Sequence, residues 1–331
     1  MPPWNRPRSV VPATLGWDSW NEYGCAVTES EVRARADALV ATGLAAAGYR
    51  TVIVDDCWFA PARDGSGRLR ANPVSFPSGM AALGEYLHAR GLRFGLYESP
   101  GRQTCAQMTG AFTGSTGSAG HQAQDAAAFA SWGVDYLKYD WCGSFPGRAV
   151  QMREFRMMCQ ALSRTGRRVV VSINPNSGVA GEVPGASGDW SSVADAVRVT
   201  NDVVPAWSTG GPVTSNQGIG DVLAAIPPAP GAVRDLDMLV AGLPGVSDAD
   251  ARTQVIMWAM LGSPLILGAD PARLNSDVLD LLRDPDITAL ATSRTPATRT
   301  ADGTWHRRLP DGREATAVVD TATHVTAFAV R

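Results

Sequence analysis

Residues 134–142 read VDYLKYDWC, and this segment decides the fold. Its first six residues alternate in character and have high β-propensity, and they lead directly into Asp140. The pattern predicts a buried strand with an acidic side chain at its carboxyl end. Lys138 is the one lysine among 29 basic residues, which indicates that a compact charge is required two positions before Asp140, on the same side of the strand.

Length and composition indicate an ordinary soluble globular protein. The 331 residues are 45% hydrophobic and 18% charged with a net charge of −3, which suits one barrel-sized domain plus a small appendage. This charge balance argues against a nucleic-acid partner. The longest apolar run, 255–269, is interrupted by Gly262, Ser263 and Pro264, so no membrane partner is expected either.

Cysteine and histidine usage argues against a metal site. Five cysteines and four histidines lack ligand spacing, so neither a metal nor another cofactor is expected. An odd cysteine count fits two disulfides and one thiol, for which Cys159, inside a helical pattern, is the natural candidate. Five reduced cysteines in a cytosolic enzyme are the alternative.

The chain alternates strand and helix patterns. Eight such units favour a closed (β/α)8 barrel over an open sheet. We expect an extension at 1–12, the barrel at 13–293, and a short C-terminal antiparallel β-sheet at 294–331. Three strand-like runs are expected in that sheet, at 305–309, 314–319 and 325–330.

Acidic residues cluster at the predicted strand ends. In a (β/α)8 barrel the carboxyl ends of the strands form the catalytic mouth. A single acid there is as readily a helix cap or a turn residue, but a full set at one rim predicts an active site. With tryptophans nearby, the pattern is typical of a sugar pocket. The acids are Asp55, Asp56, Glu98, Asp140, Asp202, Asp235 and Asp237, and the tryptophans are Trp17, Trp20, Trp58 and Trp141.

Seven motifs follow one another along the chain: LGWDSWNEYGC (15–25), VIVDDCW (52–58), GLYES (95–99), YLKYDWC (136–142), RVTND (198–202), DLDML (235–239) and MWAMLGSPLILGAD (257–270). In this order they resemble the motifs of glycoside hydrolase family 27, the α-galactosidase (melibiase) family of retaining enzymes. The resemblance covers about residues 12–290 and is specific because the order is kept.

This resemblance implies roles for individual residues. Asp140 matches the nucleophile and Asp202 the general acid/base. Cys25 with Cys57, and Cys105 with Cys142, match two family disulfides. The remaining matches, together with the polar residues Asn174 and Ser177 after the fifth strand, are expected to bind the sugar. The matches are Trp20, Asp55, Asp56, Tyr97, Lys138, Arg198, Asp237 and Met238.

The chemistry expected of Asp140 and Asp202 implies a protonation state for each. Lys138 beside Asp140 is expected to keep the nucleophile ionised. Asp202 is expected to be more desolvated and further from cations, so that it keeps its proton near neutral pH. The implied activity is hydrolysis of terminal α-galactosides in oligosaccharides or polysaccharides.

Some segments depart from the family pattern and leave alternatives open. The departures are 98–100 (ESP), 173–177 (INPNS), 232–238 (AVRDLDM) and the shortened C-terminal region. Because they border the expected sugar, other specificities of the family remain: β-L-arabinopyranosidase, α-N-acetylgalactosaminidase and isomaltodextranase. An aldolase-like Schiff base on Lys138, or a sugar-binding barrel without turnover, is a more distant alternative.

The expected location follows from the implied disulfides. Disulfides favour an oxidising compartment, whereas residues 1–12 carry no apolar secretory segment. We therefore expect a secreted enzyme whose leader peptide is absent from this sequence.

Overall fold

The computed structural model describes residues 11–176, 183–210, 216–226 and 232–331. Eight parallel strands form one sheet in the order β7-β6-β5-β4-β3-β2-β1-β8. These strands are β1 Leu15–Asp18, β2 Thr51–Val54, β3 Arg93–Glu98, β4 Val134–Asp140, β5 Val170–Asn174, β6 Ala196–Arg198, β7 Val233–Asp235 and β8 Leu265–Leu267.

The sheet closes just beyond β7. Leu239 bridges Leu267 in parallel register, its amide donates to the carbonyl of Ile266 at 2.8 Å, and its carbonyl accepts from the amide of Gly268 at 2.9 Å. The predicted (β/α)8 barrel is thereby confirmed.

Helices cover the outside of the barrel. Among the described residues the α-helices are α1 Trp20–Tyr23, α2 Glu29–Ala41, α3 Leu44–Ala47, α4 Gly79–His88, α5 Cys105–Thr109, α6 Gln122–Ser131, α7 Arg148–Arg164, α8 Ile219–Ala224, α9 Asp248–Leu261, α10 Ser276–Arg283 and α11 Pro285–Thr292. Short 3-10 turns occupy Gly24–Ala26, Pro184–Ala186 and Pro271–Arg273.

Local chemistry sets several helix ends. Thr28 and Glu31 form a capping box at the start of α2, satisfying two backbone donors that the helix itself leaves free. At α9 the hydroxyl of Ser247 accepts from the amide of Asp250, and Gly262 ends the helix in a left-handed conformation. Helix α9 is buried along most of its length because the barrel lies on one side and the C-terminal sheet on the other.

The C-terminal sheet has four antiparallel strands in the order β12-β11-β10-β9. They are β9 Thr298–Arg299, β10 Trp305–Arg308, β11 Glu314–Asp320 and β12 Val325–Val330. Three strands were expected, and the structure adds the two-residue β9, too short to show a periodic pattern in the sequence. Arg307 anchors the sheet on the barrel by donating to the carbonyls of Ala259, Met260 and Ser293 at 2.7–2.9 Å.

Candidate active site

A cavity of about 860 Å³ opens at the carboxyl ends of the barrel strands. Most of the predicted site residues line it: Trp20, Asp55, Asp56, Tyr97, Lys138, Asp140, Arg198, Asp202, Asp237 and Met238. Asn174 and Asp235 line the narrow space below, between the strands. Ser177 lies outside the described residues, so its predicted role stays a prediction.

Asp140, the last residue of β4, lies at the floor of the cavity with 6% of its surface exposed. Its Oδ1 is buried, and no group in the described part of the chain hydrogen-bonds to it. Burial raises the pKa of Asp140 to about 7, although Lys138 and Arg198 act in the opposite direction. Loss of hydration thus outweighs the nearby cations, contrary to the expectation that Lys138 keeps the nucleophile ionised.

Lys138 pairs most closely with other carboxylates. Its Nζ lies 2.5 Å from Oδ2 of Asp55 and 3.7 Å from Oδ2 of Asp18. Burial opposes the charge on Lys138, but Asp18, Asp55 and Asp140 outweigh it and raise the lysine pKa. Burial and the neighbouring Asp55 raise the pKa of Asp18 well above its usual value. Asp18 at the end of β1 and Asp55 just after β2 thus stabilise the charged form of Lys138.

Asp202 differs from the expectation. Its side chain is 67% exposed, and Oδ1 accepts from Nη1 of Arg198 at 3.0 Å. Arg198, at the end of β6, also pairs with Asp237, so one buried guanidinium joins the two acids. The prediction of a desolvated, cation-poor Asp202 is wrong, because the residue lies on the loop after β6, where it is exposed and paired with Arg198.

A bend after β2 places Asp55 and Asp56 together. Cys57 has a positive φ of 76°, which turns the chain sharply, and its disulfide to Cys25 tethers that turn. The amides of Cys57 and Ala106 donate to opposite oxygens of Asp56 at 2.7 and 2.9 Å. Burial nevertheless raises the pKa of Asp56 to about 6. Asp56 therefore binds its own loop as well as facing the cavity.

The second disulfide joins Cys105 to Cys142 and closes the wall beside Asp140. Cys159 is outside both bridges, as the helical pattern predicted, and its thiol donates to the carbonyl of Val193 at 2.9 Å.

Sequence reasoning missed Asp18 and misjudged Glu98. Asp18 ends β1 and lines the space under the cavity, so the same strand-end criterion applied to the first motif would have found it. Glu98 also ends its strand, but it is fully buried beside Asp125 and Arg63 and does not line the cavity. The change at 98–100 therefore lies behind the wall of the cavity.

The described ranges contain neither a cluster of metal-ligating side chains nor a membrane-spanning helix. No group of three or more histidine, cysteine or acidic side chains in those ranges is arranged to hold a metal ion. None of the helices there is long and apolar enough to cross a membrane.

A (β/α)8 barrel with carboxyl groups, cations and aromatic rings lining the cavity at its strand ends places the chain among the glycoside hydrolases. The chain belongs to the family Melibiase_2, described as alpha galactosidase A, whose profile matches residues 12–293.

Individual relatives agree with this family. An alpha-galactosidase of Oryza sativa subsp. japonica is 37% identical over 283 residues, covering 83% of this chain and 62% of the relative. The chain thus spans less than two thirds of that relative's length. The crystal structure of alpha-galactosidase I from Mortierella vinacea superposes with a TM-score of 0.83 at 28% identity, covering 95% of this chain and 83% of the other. The structure of a Saccharomyces cerevisiae alpha-galactosidase with raffinose superposes with a TM-score of 0.82 at 29% sequence identity. The match covers 97% of this chain and 76% of the other.

Proposed function

We propose that this chain is a retaining exo-glycosidase that hydrolyses terminal α-D-galactosides of oligosaccharides or polysaccharides. The observation that carries the proposal is the pairing of a buried Asp140 and an exposed Asp202 on one cavity of a family member. A buried carboxyl at the floor suits attack on the sugar itself. An exposed carboxyl at the rim suits proton exchange with a leaving group and with water.

The reaction then proceeds in two displacements. Asp140 attacks the anomeric carbon and forms a covalent glycosyl ester while the glycosidic bond breaks, and Asp202 donates its proton to the departing oxygen. Asp202 next removes a proton from water, which attacks the same carbon and releases Asp140. This retaining geometry requires the two carboxyls to be roughly 5 Å apart around the bound sugar.

Sugar recognition is assigned to the other end of the cavity. Asp55 and Asp56 accept hydrogen bonds from the axial 4-hydroxyl and the 6-hydroxyl of galactose, while Trp20 and Tyr97 form the wall. Each charge-assisted bond contributes about 1.5–3 kcal/mol, so a glucoside with its equatorial 4-hydroxyl loses a factor of about 10² or more.

An oxidising, extracellular location is proposed from the disulfides that flank the cavity, Cys25–Cys57 and Cys105–Cys142. Intact mass measured without reductant is expected to be four hydrogens below the reduced mass. Protein isolated from its source with five free thiols would contradict this location.

A hydrolysis screen on nitrophenyl glycosides tests the activity, with Asp140→Asn as the blank. The α-galactoside should be cleaved fastest, the β-L-arabinopyranoside, which lacks the 6-hydroxymethyl group, more slowly, and the α-glucoside least. The first product should retain the α configuration by NMR. Faster cleavage of either rival sugar, or an inverted product, would overturn the proposal.

A further inference from the structure

The loop that carries Asp202 is held at both of its ends. On the Asp202 side, the carbonyl of Asp202 accepts from the amide of Gln217, and the amide of Val203 donates to Oδ2 of Asp237 at 2.6 Å. On the far side, the carbonyls of Ala206 and Trp207 accept from the amides that begin α8. Segment 202–207 therefore connects Asp202 to the start of α8.

Trp207 packs against the C-terminal sheet. Its ring stacks on the imidazole of His324 with the centroids 3.8 Å apart and the planes 10° from parallel. A Cβ placed on Gly220 would lie 2.5 Å from the indole, so only glycine there leaves room for the ring. The indole is enclosed between α8 and the turn that joins β11 to β12.

His324 is itself fixed from several directions. Its Nδ1 hydrogen-bonds to Oδ1 of Asp250 at 2.7 Å, and its carbonyl accepts from the hydroxyl of Thr253 at 2.6 Å. The Thr253 hydroxyl also contacts that of Thr326, 2.7 Å away in the buried face between α9 and β12. His324 has a positive φ of 59° immediately before β12.

We propose that His324 is a positioning residue for the acid/base step: through its stack on Trp207, the C-terminal sheet holds the loop that carries Asp202. The proposal rests on the function proposed above for Asp202. The carboxyl of Asp202 is mostly exposed. Within the described ranges, Arg198 is the one side chain that hydrogen-bonds to it, so the backbone mainly determines where this carboxyl lies. Misplacement of a catalytic group by about 1 Å can cost a factor of about 10².

The first test is kinetic and compares leaving groups. His324→Asn removes the ring but keeps a residue that tolerates positive φ. It should lose about tenfold in kcat/KM on phenyl α-galactoside, which needs protonation of the leaving oxygen, and less than about twofold on the dinitrophenyl substrate, which does not. Trp207→Ala should give the same split. The double variant should be no worse than either single variant, since both remove one contact.

The matched control is Arg313→Ala. Arg313 joins the same sheet to α11 through Asp286 at 2.6–2.9 Å, on a contact separate from Trp207. This variant should reduce activity on both substrates equally or leave it unchanged. A His324→Asn variant with the leaving-group dependence of wild type or of Arg313→Ala would overturn the proposal.

The second test is independent of any substrate. Hydrogen exchange at the hydrogen-bonded amides of 204, 206, 217, 219 and 220 should accelerate in His324→Asn and stay at the wild-type rate in Arg313→Ala. Unchanged exchange in His324→Asn would overturn the positioning role even if the hydrolysis screen succeeds. A screen that fails while exchange accelerates would reject the proposed function and keep the mechanical link.

Discussion

At the scale of single residues, the site places one carboxyl where water is excluded and another where water is abundant. Asp140 has 6% of its surface exposed, whereas the Asp202 side chain has 67%. The buried carboxyl lacks the hydration that normally stabilises its charge, so the fold is stabilised when Asp140 is protonated. Its role as a nucleophile requires the ionised form, so activity and stability make opposite demands on this residue.

The cost in stability of an ionised Asp140 can be measured with the Asp140→Asn variant. Because the folded-state pKa of Asp140 is raised to about 7, its stabilising contribution is complete below the unfolded pKa of about 4 and is lost as pH rises through 7. Thermal unfolding from pH 4 to 8 should show Asp140→Asn above wild type by about 3 °C or more at pH 8. The difference should shrink steadily toward pH 4, and a difference that does not change with pH would contradict the shifted pKa.

The role of Asp202 has a separate prediction. Asp202→Ala should reduce kcat/KM by about 10³ on phenyl α-galactoside and far less on the dinitrophenyl substrate, since only the former requires a proton on the leaving oxygen. Steady-state kinetics on both substrates checks it. Equal losses would mean that Asp202 only binds substrate.

At the scale of elements, the sequence predicted which units exist better than where they end. The capping box of α2 is formed by side chains within one turn, so its Thr-x-x-Glu spacing is visible in the sequence alone. The strand β6 covers only Ala196–Arg198, and no local pattern marks its ends because they depend on pairing with β5 and β7. The Lys138 contacts were missed for the same reason: its partners Asp18 and Asp55 come from distant strands that the barrel brings together.

The turn after β2 carries a prediction about substrate binding. Cys25→Ala removes the tether on Cys57, whose positive φ places Asp55 and Asp56 at the cavity. The KM for an α-galactoside should rise by about tenfold with a smaller change in kcat, because sugar contacts are lost before the chemistry is. Cys159→Ala, outside both disulfides, is the control and should leave KM unchanged. A normal KM in Cys25→Ala would show that the turn holds without the tether.

At the scale of the whole molecule, barrel and C-terminal sheet share α9. Arg307 reaches from β10 to the carbonyls at the end of α9, where a cation is favoured, and His324 contacts Asp250 near its start. Burial lowers the pKa of Arg307 to about 10, so it remains charged at neutral pH. No local pattern in the sequence indicated this contact, since its partners lie 47 and 48 residues away.

Removing the anchor should weaken the whole fold. Arg307→Met keeps much of the side-chain volume but removes three hydrogen bonds to main-chain carbonyls, at a cost of about 2–4 kcal/mol. The melting temperature should fall by about 4 °C or more in a single cooperative transition. Two separate transitions in calorimetry would show that sheet and barrel unfold independently.

Lys138 is the one lysine in this sequence, and this has a practical consequence for chemical modification. Reagents that acylate primary amines meet only one lysine in this chain, and that amine is protonated, largely covered and paired with Asp55 and Asp18. At neutral pH such reagents should therefore leave Lys138 and the catalytic mouth untouched during immobilisation or fluorescent tagging.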